Sequence, residues 1–190
     1  MHRDKSFLRK KFILQRKKIF LEKKNINFNF NLLFKLIKKI FSNKKITIAA
    51  YYPSNYEVNI LKFIKDAYNR KFKIVLPVVK NSTDMSFKTW NYKEPLYINK
   101  YGILEPFKSN KEIIPDLVIV PLVAFDNNLN RIGYGKGYYD RKLEKINKSN
   151  KKIVSLGAAY SFQECKNIPT DKHDFKLDYI FTEQGIISSN

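Results

Sequence analysis

Five short runs of apolar and β-branched residues limit what this chain can fold into: Ile46 to Tyr51, Lys73 to Val79, Leu117 to Pro121, Ile153 to Ala158 and Tyr179 to Thr182. Each is near-continuous rather than alternating, so both faces of the strand it forms need cover. Between the first two lies the segment 55–71, where Val58, Leu61, Ile64 and Tyr68 form one helical stripe. Between the third and fourth lies 137–148, where Tyr139, Leu143 and Ile146 do the same. Strand, helix, strand in repetition predicts an α/β fold: a single domain over residues 1–190, with a layered, open, mostly parallel sheet, helices on both faces and right-handed crossovers. Two helices precede the sheet, over 3–23 and 29–42, separated by an Asn-rich loop over 25–31. Hydrophobic residues make up 44% of the 190, enough to fill a core and to exclude a disordered chain.

The net charge of +20 first points to a nucleic acid or an anionic membrane. Two observations weaken that inference. The cations are 31 Lys and only 6 Arg in a chain crowded with Asn and Ile, a pattern of A/T-rich codon usage, whereas phosphate and base readout favours Arg. The excess is also uneven, with 15 basic and 2 acidic residues in the first 45 positions. No apolar run approaches the roughly 20 residues of a membrane span, and MHRDKSFLRKKF lacks the apolar stretch of a signal peptide, so a cytoplasmic protein without a membrane partner is expected. A single cysteine, Cys165, allows neither an internal disulfide nor a Cys-based zinc site.

Chemistry concentrates between 115 and 141. A buried strand leads through a polar turn into Arg131-Ile-Gly-Tyr-Gly-Lys-Gly-Tyr-Tyr-Asp140 and then a helix. Alternating Gly133, Gly135 and Gly137 let the backbone adopt positive φ and turn successive N–H groups onto an anion, and the helix start adds its dipole. The spacing is neither a Walker sequence nor a dinucleotide fingerprint. A flexible turn before a helix explains the glycines equally well. Lys5, Arg9 and Arg16 fall within roughly 40° of one another on a helix, which makes either a clamp for polyphosphate or a solvated cationic face. Ser54 and Glu57 have capping-box spacing, yet Tyr52 and Glu57 also stand at the carboxyl edge of a strand, where ligands bind. Asp140 in a first helical turn favours the dipole with or without a magnesium ion. His173 and Asp174 form either a loop contact or a dyad, and no hydrolase or zinc motif is present.

Together these segments resemble the 5-formyltetrahydrofolate cyclo-ligase family, also called 5,10-methenyltetrahydrofolate synthetase. The resemblance runs through Lys5-Ser-Phe-Leu-Arg9, Tyr52-Pro-Ser-Asn-Tyr-Glu57, Leu76-Pro77-Val78 with Met85 and Phe87, and Gly102-Ile-Leu-Glu105-Pro106. It continues through Asp116 to Pro121, Phe125-Asp126, the specific block Arg131 to Arg141, and Gln163, Ile168-Pro169, His173-Asp174 and Asp178. The resemblance implies an enzyme that uses Mg2+ and ATP to close 5-formyltetrahydrofolate into 5,10-methenyltetrahydrofolate, releasing ADP and phosphate. It implies that Lys5, Arg9 and the loop Arg131, Ile132, Gly133, Tyr134, Gly135, Lys136, Gly137, Tyr138 and Tyr139 contact ATP, with Arg131 and Lys136 catalytic and Lys136 where nucleotide and folate meet. It further implies that Tyr52 and Glu57 bind the folate and that Asp140 and Asp174 hold the metal. Its partners would be the folate and ATP, not nucleic acid, and the protein would act as a monomer. A divergent ATP-binding relative with another substrate is the alternative within enzymes. A basic nucleic-acid-binding module is the alternative outside them, and no motif for one is present.

Overall fold

In the computed structural model, which describes residues 4–22, 26–149 and 151–189, the five apolar runs lie side by side. They are β1 (Thr47–Ala49), β2 (Lys73–Val79), β6 (Leu117–Pro121), β9 (Val154–Ala158) and β10 (Tyr179–Thr182), and all pair in parallel. Two antiparallel strands not anticipated from sequence close the edges: β3 (Met85–Thr89) beside β2, and β11 (Gly185–Ser188) beside β10. The seven-stranded order is β11-β10-β9-β6-β1-β2-β3. Two small hairpins stand outside the sheet: β4 (Tyr97–Ile98) with β5 (Leu104–Glu105), and β7 (Ala124–Phe125) with β8 (Arg131–Ile132).

The helices before the sheet are α1 (Lys5–Leu21) and α2 (Asn31–Phe41), shorter at each end than expected; positions 3 and 23–25 of those expectations lie outside the described residues. Helix α3 (Leu61–Asn69) connects β1 to β2, and α4 (Tyr138–Lys148) connects β6 toward β9. The chain moves through the sheet in opposite directions in these two connections, so crossovers of one hand put α3 and α4 on opposite faces. The core divides accordingly. Ile48, Ile74, Leu76, Ile119 and Phe181 point to Leu33 and Ile37 of α2 and Phe63 and Ile64 of α3, whereas Ala49, Val75, Val118, Val120 and Ile180 point to Leu143 and Ile146 of α4. A third cluster seats Leu8 and Phe12 of α1 against Val123, Ala124 and Ile132.

The stripe expected on 55–71 is corrected. Helix α3 buries Phe63, Ile64 and Ala67, with Leu61 and Tyr68 only half-buried and Val58 ahead of the helix. The start is delayed because Asn55 and Tyr56 take positive φ in a turn, and the side chain of Asn59 accepts from the Leu61 N–H.

Candidate active site at the carboxyl ends of the parallel strands

A cavity of about 290 Å³ opens where β1, β2 and β6 end, and the order of the sheet reverses there, since β1 connects to β2 on one side and lies beside β6 on the other. This is where an open α/β sheet offers a crevice. One wall is Tyr51, Tyr52, Ser54 and Glu57 after β1. Arg131, Gly133, Tyr134 and Lys136 to Asp140 belong to the same lining. Hairpin β4–β5 supplies Tyr101, Ile103 and Glu105, and Pro77, Val79 and Met85 complete the lining.

The glycine loop has the shape its composition allows. Gly135 and Gly137 take φ of +91° and +65°, which L side chains rarely adopt, and Gly137 is the residue that caps α4. Gly133 needs no such conformation, so two of the three glycines are demanded by the backbone. A Cβ on Gly135 would stand 3.3 Å from the Arg9 guanidinium carbon. Arg9 Nε donates to the Gly133 carbonyl at 2.8 Å. Lys136 is exposed at the cavity mouth, its ammonium 5.7 Å from the centre of the Tyr101 ring. Tyr101 and Tyr138 hydroxyls meet at 3.1 Å, which ties hairpin β4–β5 to the start of α4.

Arg131 is buried, and its Nη2 lies 2.8 Å from Asp140 Oδ1. Both Nη2 and Nε lack an aligned hydrogen-bond partner, so this is a charge contact with donor capacity to spare. Burial pulls the Arg131 pKa down, and the carboxylates of Asp140 and Asp174 and the Tyr139 phenol oppose that. Asp140 also accepts from the Phe175 N–H at 3.1 Å. The Tyr139 hydroxyl is buried with no protein partner, and burial first, then Glu57, raises its pKa.

Glu57 partly satisfies the capping-box expectation: its Oε2 accepts from the Ser54 N–H at 2.8 Å and the Ser54 hydroxyl at 3.3 Å. The correction is that these bonds close a turn, since the helix starts only at Leu61. The side chain keeps an opening to the cavity, yet protein crowds it closely enough that burial is the largest influence and raises its pKa. Hydrogen bonds from Ser54 and the charge of Arg16 oppose that rise.

The structure therefore brings Tyr52, Glu57, Arg131, Gly133, Tyr134, Lys136, Gly137, Tyr138, Tyr139 and Asp140 to one cavity. Lys5, Arg9, Ile132, Gly135 and Asp174 do not line it. Lys5 is held by Asp171 and Asp174, and Asp174 also accepts from the Asp171 N–H at 2.7 Å. The face of α1 that carries Lys5, Arg9 and Arg16 is neither a solvated surface nor an open clamp, because it packs against hairpin β7–β8 and the glycine loop. Tyr51, Pro77, Val79, Met85, Tyr101 and Glu105 were given no role from sequence. Pro77, Met85 and Glu105 fall within the stretches that carry the family resemblance, which was the available signal.

Among the described residues no group of three or more His, Cys, Asp or Glu is placed to cage a metal. Mg2+ commonly takes one or two carboxylates together with substrate phosphates and water. Asp140 on the cavity wall, with Asp174 also acting on Arg131, meets that donor chemistry.

A sequence model of the 5-formyltetrahydrofolate cyclo-ligase family matches residues 1–183. The 5-formyltetrahydrofolate cyclo-ligase of Mycoplasma genitalium is 33% identical over 183 residues, covering 93% of this chain and 96% of its own. That of Haemophilus influenzae is 33% identical over 136 residues, covering 68% and 72%. The solved structure of a 5,10-methenyltetrahydrofolate synthetase from Mycoplasma pneumoniae superposes with a TM-score of 0.71 at 27% identity, covering 94% of this chain and 98% of that one. Cavity, loop and these likenesses converge: the chain belongs to the 5-formyltetrahydrofolate cyclo-ligase family.

Proposed function

We propose that this chain catalyses the ATP-dependent closure of 5-formyltetrahydrofolate to 5,10-methenyltetrahydrofolate with release of ADP and phosphate. The observation that carries the reading is one cavity lined by both a cationic glycine loop and the tyrosine-rich turn that carries Glu57. In the proposed reaction the formyl oxygen attacks the γ-phosphorus and ADP departs. N10 then attacks the formyl carbon, its proton is released, and phosphate leaves with the former formyl oxygen. No covalent enzyme intermediate is needed, so the protein's task is positioning and charge stabilisation.

Each part of the lining has a proposed share. Backbone N–H groups of Gly135 to Tyr139 and the spare donors of Arg131 bind phosphate oxygens. Lys136 follows the charge that develops between γ-phosphate and formyl oxygen. Arg9 braces the loop from behind, and Lys5 exchanges its carboxylate partners for phosphate when ATP binds. Tyr52 and Glu57 orient the folate. Asp140 and Asp174 are the proposed holders of Mg2+, which would neutralise phosphate charge when bound. The proposed acting form is a single chain, since the whole lining comes from one chain, and the proposed setting is the cytoplasm.

Mixing the purified chain with 5-formyltetrahydrofolate, ATP and Mg2+ and following the near-ultraviolet absorbance of the methenyl product tests the reading. Absence of an ATP-dependent rise rejects it.

A further inference from the structure

Glu105 ends β5 and is buried to 5% exposure. The salt bridges among the described residues do not include it, so this carboxylate is taken out of water without a cation, which is costly unless hydrogen bonds answer its lone pairs. Oε1 is answered twice: it accepts from the Val79 N–H, in the last residue of β2, at 2.9 Å and from Asn99 Nδ2 at 2.6 Å. Asn99 is itself fixed, because its Oδ1 accepts from the N–H groups of Tyr101 and Ile103 at 2.8 and 3.1 Å. The carboxylate is thus held by the sheet and by its own hairpin at once. Oε2 has no partner among the described residues and is not sealed in, so the free half of the carboxylate opens on the cavity that Glu105 lines.

We propose that Glu105 is a substrate-binding residue whose Oε2 accepts from the 2-amino and N3–H edge of the folate's pterin ring. The proposal rests on the reading of this cavity as the folate site. A pterin is a flat ring that needs apolar cover for its faces and acceptors for the N–H groups along one edge, and conjugation with the ring carbonyl makes those N–H groups strong donors. Pro77, Val79, Met85 and Ile103 give the same cavity apolar lining. A carboxylate supplies lone pairs only, and with Oε1 occupied the two on Oε2 are left for the ring. Because protein N–H groups already hold Oε1, the acceptor is in place before the substrate enters and little ordering is left to be done on binding. A residue that merely tethered the hairpin to β2 would use Oε1 alone, and an amide would serve it equally well.

Glu105→Gln separates the two roles, since its amide oxygen still accepts from Val79 and Asn99 while an NH2 group replaces Oε2 and meets the ring N–H groups donor to donor. In calorimetric titrations without ATP, the Kd of the variant for 5-formyltetrahydrofolate is expected to rise about ten- to a hundredfold, as for loss of hydrogen bonds to a charged group, with its melting temperature and its Kd for ATP unchanged. A second ligand makes the contact specific: 5-formyltetrahydrofolate carrying methyl in place of the 2-amino group should bind wild type more weakly than the parent by a similar factor and bind Glu105→Gln no more weakly than the parent. An unchanged Kd for the folate in Glu105→Gln overturns the proposal, and so does an equal loss with the methyl ligand in both proteins. Wild type that binds both ligands alike, or binds no folate, overturns it whether or not the variant folds. Binding needs no turnover, so wild type that prefers the parent ligand through Glu105 yet forms no product with ATP would reject the functional reading and uphold this one.

Discussion

Lys136 and Arg131 carry like charges five residues apart in opposite surroundings, and their substitutions should separate accordingly. Lys136 is exposed and its ammonium lies over the Tyr101 ring, so Lys136→Ala is expected to leave the melting temperature unchanged while turnover falls about 100-fold or more, the usual cost of removing one group that meets developing charge. Wild-type turnover in that variant would remove Lys136 from the reaction. Arg131 is buried against Asp140, so Arg131→Ala leaves a carboxylate without its cation and should destabilise the fold by about 3 kcal/mol in urea melts. Gly157 gives a prediction that the sequence did not signal. A Cβ there would lie 2.6 Å from Leu122, 2.7 Å from Ile180 and 2.8 Å from Leu177, so Gly157→Ala should cost about 1–3 kcal/mol by overpacking, read as a lowered urea midpoint. Arg131 and Lys136 were legible because a motif surrounds them; Gly157 was not, because its neighbours come from distant strands and loops.

At the scale of elements, legibility followed burial. The five parallel strands announce themselves because both faces are covered and their sequences are apolar throughout. Strands β3 and β11 are edges of five and four residues, and hairpins β4–β5 and β7–β8 have arms of two, too short for a period to emerge. The consequence for the site was specific: Tyr101 and Glu105 reach the cavity from one of those hairpins and were given no role. Helix α1 was recognised as a helix, but which side faced inward was settled by docking on hairpin β7–β8. Its N-terminal tether gives a pH prediction. The Asp171 carboxyl is held below its ordinary 3.8, chiefly by the hydrogen bond from Lys5, so its contribution is complete above pH 3.8 and is lost as pH falls through the lower folded value. Lys5 is shifted the other way. Burial, the largest influence, lowers its pKa, but the hydrogen bonds it donates to Asp171 and Asp174, with their charges, together outweigh it and hold the amine above its ordinary 10.5. Its contribution is therefore complete below pH 10.5 and is lost as pH rises through the higher folded value. The difference in melting temperature between wild type and Lys5→Met, measured without ATP, should be constant between those limits and shrink at acid pH. A difference that grew on acidification would remove the tether.

For the whole molecule, the charge of +20 is the feature that most invites a wrong partner. Four of its six arginines hold polar groups of the protein: Arg9 under the glycine loop, Arg16 against Tyr134, Arg131 against Asp140 and Arg141 on the carbonyls of Thr83 and Lys136. Cations committed to internal contacts do not read a polymer. Lysines left on the surface give a diffuse field that salt screens within about 8 Å at physiological ionic strength. Duplex DNA is therefore expected to show no retained complex at that ionic strength, and a tight complex that persists there would restore the nucleic-acid reading. The central proposal is that the reaction takes place at the cavity beside the switch point of the sheet, and one assay reaches that claim most directly. Purified chain, 5-formyltetrahydrofolate and Mg2+ are mixed, ATP is added, and the near-ultraviolet absorbance of the methenyl product is followed alongside ADP. The expected result is an absorbance rise that starts only with ATP and matches ADP in amount; a folded chain that releases ADP without the methenyl product, or forms neither, would contradict it.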